Sequence, residues 1–254
     1  MTFRLGKAPA RPWRAPGNKF RLGAYLAGPA ALPTSPQVFG HQSLVAQWSM
    51  LANDRYGCCV WAGAAHETML LAKEADTTVS FTDANVLSDY AAVTGFNPND
   101  PATDQGTDVQ DAAAYRRKTG VIDAAGKRHT VAAYLALDPG NIDHLLLAAY
   151  LFGAVGIGLA LPASALDQAK SGRIWDVVAG SPNEGGHYVP LVGRLASGTL
   201  VSVSWGRTQL MTASFFQTFC DEAVAYVSTE DLINQKSPEG FSYADLVGDL
   251  AALA

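Results

Sequence analysis

The apolar residues of this chain change period near residue 153, and that change limits the folds open to it. Before it, apolar side chains recur at helical spacing. Residues 60–74, a segment capped by Thr82 or Asp83 and ending near residue 93, residues 108–119, and a segment capped by Asn141 or Asp143 and ending near residue 152 read as helices. Gly120 closes the third. Residues 95–106, rich in Pro, Asn and Asp, read as a loop. After the change, residues 156–161, 187–194, 199–205 and 223–228 are short β-type runs separated by turn residues, with a short helix at 215–221. Helices followed by strands predict an α+β protein with an antiparallel sheet, not an alternating parallel one. The most apolar run, 145–161, is broken by Gly153, Gly156 and Gly158 and stops at Pro162. It predicts a buried helix and then a buried strand, not a membrane span.

The chain has 254 residues, 48% hydrophobic and 16% charged, the composition of a globular protein with a sizeable core. Its net charge of −5 gives no general pull toward nucleic acid or membrane. The charge is unevenly spread. Residues 1–40 carry Arg4, Lys7, Arg11, Arg14, Lys19 and Arg21 and no acid, which leaves about −11 on residues 41–254. That first segment is also rich in proline, which removes backbone donors and fixes φ, so 1–40 reads as an extended arm and 41–254 as one domain. Its aromatic residues Phe3, Trp13, Phe20, Tyr25 and Phe39 suit burial better than solvation. The arm is therefore expected to dock on an acidic surface, of its own body or of a neighbouring subunit, with little bearing on any chemistry elsewhere. No apolar stretch follows the basic N-terminus, so no secretory signal is expected. Three cysteines, Cys58, Cys59 and Cys220, make no disulfide framework and suggest a reducing, cytoplasmic setting.

Three short motifs carry chemistry. In Asn53-Asp54-Arg55-Tyr56-Gly57-Cys58-Cys59-Val60-Trp61 a loop opens a helix at a cysteine. The positive end of the helix dipole and its free N–H groups favour thiolate over thiol there, which makes the sulfur a nucleophile. Gly57 lets the backbone turn tightly just before it. In Gly185-Gly186-His187-Tyr188-Val189 an imidazole begins an apolar strand, placed to take a proton from a thiol. Ser202-Val203-Ser204-Trp205-Gly206 ends the next strand, where an indole can shield a polar pair from water. His66 and Cys58 do not make a zinc spacing, and no metal or cofactor is expected.

In this order the motifs resemble those of the papain-like cysteine proteases. That family has a glutamine six residues before its nucleophile, a cysteine heading a long helix, a Gly-His strand start and an Asn-Ser-Trp-Gly strand end. The resemblance spans about residues 45–230 and is nearest to papain-like proteins of unassigned role in bacterial and phage genomes. It implies a two-lobed fold, a helical lobe followed by an antiparallel β lobe. Cys59 is then the nucleophile, His187 the base and Asn53 the oxyanion donor, with Gly106 and Trp205 lining the substrate cleft. The family's histidine-orienting asparagine falls on Val203, which offers no hydrogen bond, and Cys58 is expected to turn away from the site.

Two functions follow. One is a thiol hydrolase of peptide or amide bonds acting on a peptide or protein substrate. The other is a non-catalytic structural or interaction protein on the same fold, such as a phage virion component, whose arm clasps neighbouring subunits.

Overall fold

The computed structural model describes residues 3–13 and 34–229. Of the arm's side chains, Arg14, Lys19, Phe20, Arg21 and Tyr25 lie outside them. The helices begin where the sequence supplies caps. They are α1 (Cys59–Glu74), α2 (Asp83–Thr94), α3 (Val109–Lys118), α4 (Ile142–Phe152), α5 (Ala163–Lys170) and α6 (Ala213–Phe219). Thr82 Oγ1 accepts from the Asn85 N–H while Asn85 Oδ1 accepts from the Thr82 N–H, a reciprocal cap on α2. Asp108 caps α3 and Asn141 caps α4 in the same manner, one-sided.

The strands are β1 (Phe39–Gly40), β2 (Val121–Ile122), β3 (Arg128–His129), β4 (Val131–Leu137), β5 (Val155–Pro162), β6 (Asn183–Arg194), β7 (Leu200–Ser204), β8 (Arg207–Met211) and β9 (Cys220–Ser228). The main sheet runs β4-β9-β5-β6-β7-β8, with every pairing antiparallel and β1 pairing with the end of β6. The strands at 131–137 and 207–211 depart from the sequence pattern. Val131-Ala-Ala-Tyr-Leu-Ala-Leu carries three alanines and is buried on both sides toward its end, which leaves no clear alternation to read. The helices-then-strands order therefore has exceptions: β1 to β4 precede α4, and α5, absent from the sequence pattern, follows β5; β4 reaches the sheet edge by pairing with the last strand.

Alternation along β6 and β9 divides the interior. Tyr188, Val224 and Tyr226 face α1–α3 and pack with Trp61, Tyr90 and Val109. Val189, Leu191, Ala223 and Ala225 face the opposite side and pack with Leu145, Phe152, Trp175 and Phe215. Gly63 brings α1 down onto β6: a Cβ there would lie 2.6 Å from the Tyr188 ring. One buried polar cluster ties the helices to the sheet. Arg116 of α3 pairs with Glu67 of α1, the Tyr188 hydroxyl donates to Glu67 Oε1 at 2.7 Å, and the guanidinium lies 3.7 Å from the centre of the Tyr226 ring. Among the described residues no helix is long and apolar enough to cross a membrane.

Candidate active site

Residues 50–58 turn sharply before α1. Leu51 and Ala52 take positive φ, and the Gly57 N–H is held by both oxygens of Asp104, at 3.0 and 3.2 Å. Tyr90 donates to Asp104 at 2.8 Å and accepts from the Gly106 N–H at 2.9 Å, so one carboxylate and one phenol fix both loops. Cys58 points into the helical core and donates to the Leu51 carbonyl at 3.5 Å. Cys59 sits at the first turn of α1, and the peptide N–H groups of Tyr188, Gly6 and Val60 reach its sulfur.

The Gly6 N–H belongs to the arm. Residues 3–8, here termed the N-terminal strand, run between the two walls of the site as a segment with one isolated bridge, Lys7 to Thr107. On one side Thr107 N–H donates to Gly6 O at 2.8 Å and Ala8 N–H to Thr107 O at 2.9 Å. On the other, the Gly6 and Lys7 N–H groups both donate to Gly186 O, at 3.1 and 3.0 Å. The fit is backbone against backbone. A Cβ on Gly6 would lie 1.9 Å from Gly57 O, one on Gly106 2.4 Å from Gly6 O, and one on Gly186 2.1 Å from Lys7 O. Further along, Arg11 Nη2 pairs with Asp108 and Asp111 at 2.9 and 2.6 Å. The described part of the arm thus meets acidic groups, but its path runs over Cys59. The expectation that it lies apart from the chemistry is overturned, because the glycines leave a peptide-wide slot there.

Asn53, Trp205, Gly106 and Gly186 border this segment. Asn53 Nδ2 donates to Arg4 O at 3.4 Å and to Tyr56 O at 3.2 Å. Trp205 Nε1 donates to the same Arg4 carbonyl at 3.3 Å. Gly106 lies against Gly6, and Gly186 against Gly6 and Lys7. Phe3, Trp205 and His187 form one stack, with centroids 4.1 and 4.3 Å apart and rings within 17° of parallel. Trp205 and Gly206 both have positive φ, the two-residue hairpin conformation that joins β7 to β8. For a bulky aromatic that conformation is strained, and it turns the indole onto the imidazole.

His187 is buried, and its Nε2 lies 2.8 Å from Ser204 Oγ. The hydrogen-bond partner is therefore Ser204, not position 203. Val203 packs on the other face of the sheet with Trp48, Leu70 and Val192, since neighbours on a strand face opposite ways. With the proton on Nε2, Nδ1 is a bare base, and it has no hydrogen-bond partner. Burial lowers the imidazole pKa to about 3, so the ring is neutral. Burial likewise pushes the Cys59 thiol up to about 11, and the three N–H groups do not offset it. In this arrangement burial of the sulfur opposes the thiolate that the helix start favours, and it outweighs the arm's own Gly6 N–H and Lys7 ammonium, which act the other way. Cys58 is raised for the same reason.

Sequence reasoning missed Ser204, the arm's role as a neighbour of the sulfur, and Trp175, whose ring meets both Trp205 and His187 edge-on. Ser204 follows Val203 directly, and only the strand register decides between the two. His66 Nε2 donates to Ser49 O at 2.9 Å; among the described residues no three His, Cys, Asp or Glu converge as a metal site would require.

No protein-family model and no curated protein matches this chain. Solved structures do. Xylellain, a cysteine protease from Xylella fastidiosa, is 14% identical over 90% of this chain and 97% of its own, with a TM-score of 0.60. Digestive procathepsin L 3 of the Tenebrio molitor larval midgut is 15% identical over 77% of this chain and 71% of its own, at 0.55. The Carica candamarcensis cysteine protease CMS1MS2 is 12% identical over 76% of this chain and 98% of its own, at 0.54.

Proposed function

We propose, for a chain that has the papain-like cysteine protease fold, a thiol hydrolase of peptide or amide bonds that is held shut by its own N-terminal strand. Cys59 is the nucleophile. His187 takes the thiol proton at Nδ1 and returns it to the leaving group, with Ser204 orienting the ring through Nε2. Asn53 Nδ2 donates to the carbonyl oxygen as it becomes an oxyanion. The observation that carries this reading is the slot itself: it already holds a peptide, with Asn53 and Trp205 donating to one of its carbonyls and Cys59 beneath its next turn of backbone.

The test is Gly6→Val in the full chain. A Cβ at that position collides with Gly57 O, so the strand must leave the slot. The variant should react at Cys59, and not at Cys58 or Cys220, with a peptidyl epoxide, and should cleave a mixed peptide library. Wild type should do neither at a comparable rate. Peptide mapping of the label decides between cysteines. No labelling of Cys59 in the opened variant would refute the hydrolase reading.

The second reading is a structural or interaction protein on the same fold, such as a phage virion component. The occlusion favours it, since Cys59 and His187 are both 1% exposed. It expects Gly6→Val to change assembly or partner binding while Cys59 stays unreactive.

A further inference from the structure

Lys7 occupies a side-chain pocket that opens off the slot beside His187. Its backbone N–H rests on Gly186 O, and its side chain, wholly buried, crosses Gly158 to end among acids. Nζ lies 3.0 Å from Asp221 Oδ2, 3.2 Å from Glu222 Oε1 and 3.0 Å from Ala8 O. The floor is open because residue 158 is glycine. A Cβ there would lie 2.7 Å from Lys7 Cδ and 2.6 Å from Glu222 Cγ. The register of β5 sets Gly158 opposite Glu222 on one side and Tyr188 on the other, so the pocket is built by the sheet and not by the arm. Asp221 Oδ1 is buried and has no hydrogen-bond partner with Lys7 in place. A guanidinium, with five donors to the ammonium's three, could use that acceptor.

We propose that Glu222, with Asp221, makes this pocket a specificity site, and that a peptide entering the slot in place of the arm carries lysine or arginine at the position lying against Gly186. At the end of a glycine-floored channel, buried Glu222 and the partly exposed Asp221 disfavour an aliphatic side chain, which would leave the Glu222 carboxylate buried and unpaired. An acidic side chain is excluded by like charge. As a statement about substrate it rests on the hydrolase reading; as a statement about binding it does not.

The experiment therefore has two arms, both on full-length Gly6→Val. In the first, acyl-peptidyl aminomethylcoumarins with Lys, Arg, Leu, Phe or Glu at each position near the scissile bond are ranked by kcat/KM. In the second, the fluorescein-labelled hexapeptide Arg-Leu-Gly-Lys-Ala-Pro and its Lys→Leu and Lys→Glu versions are titrated by polarisation. Lys or Arg should exceed Leu by about tenfold or more in either arm. Glu222→Gln should remove that preference, and Glu222→Lys should shift it toward Glu; melting curves confirm that the variants fold. Cleavage without a basic preference, or a preference that survives Glu222→Gln, overturns the proposal and leaves the hydrolase reading standing. Binding of the hexapeptide with the Glu222-dependent preference but no cleavage of any substrate does the reverse. If nothing is cleaved and the hexapeptide does not bind, both fall.

Discussion

At the scale of single residues, burial keeps both Cys59 and His187 neutral. The Cys59 thiol, usually near 9, is pushed up to about 11. At pH 8 that difference means about a hundredfold less thiolate. Alkylation of wild-type Cys59 should therefore be slow at pH 8 and climb only toward pH 11. In Gly6→Val, which lets water in, the same curve should move to lower pH, toward that of an ordinary thiol. Coincident curves would show that the arm does not set the sulfur's state. Ser204 makes a separate prediction. A single hydrogen bond contributes about 1 kcal/mol net, so Ser204→Ala in the opened variant should lower kcat/KM by about fivefold and shift the pH profile, with Ser204→Asn restoring part of it. An unchanged pH profile would make Ser204 merely a packing residue.

At the scale of elements, α1 and α3 share a buried ion pair that two tyrosines of the sheet close over. Arg116 and Glu67 are both nearly inaccessible, and Tyr188 and Tyr226 complete their shell. Removing one partner leaves the other charge unpaired, so Arg116→Met should cost about 3–5 kcal/mol in denaturant unfolding, while Arg116→Met with Glu67→Leu should recover much of it. A single variant as stable as wild type would mean the pair is idle. The elements also differ in how far they could be read from sequence. Helix caps such as Thr82 and Asp108 are local chemistry, and they appear where the residues put them. Strand β4 is mostly Ala and Leu, and what makes it a strand is its pairing with the distant β9. Register is non-local in the same way. Val203 and Ser204 could not be told apart by motif spacing, because the register of β7 on β6 sets which face of the sheet each takes.

At the scale of the molecule, the motifs located the slot but not its occupant. The arm's basic and aromatic residues pointed to docking, while the glycine contacts that choose the docking site depend on Gly6, Gly57, Gly106 and Gly186 meeting in space. Acid sensitivity is a property of the whole fold. Burial lowers His66 to about 4 and His187 to about 3. Below about pH 6.5 the unfolded chain takes up protons that the folded one refuses. The two rings therefore cost nothing above that pH, and stability is lost as pH falls toward 4 and then 3. Each ring costs about 1.4 kcal/mol for every pH unit crossed between its unfolded and folded pKa. Melting temperature should drop over that window, and His66→Gln should flatten the drop. A constant melting temperature from about pH 7 to 4 would contradict neutral burial.

The strand in the slot belongs to the chain it blocks, so it is a ligand that cannot be diluted. Its effective concentration is fixed by the tether, in the millimolar range where tethers are short. A peptide offered from solution must outcompete that figure, and its apparent affinity falls by the same ratio. One cut between Trp13 and Thr34 would change the order of the process. The strand would then leave by simple dissociation and return only at a rate set by protein concentration, so a nicked sample would open on dilution while an intact one would not.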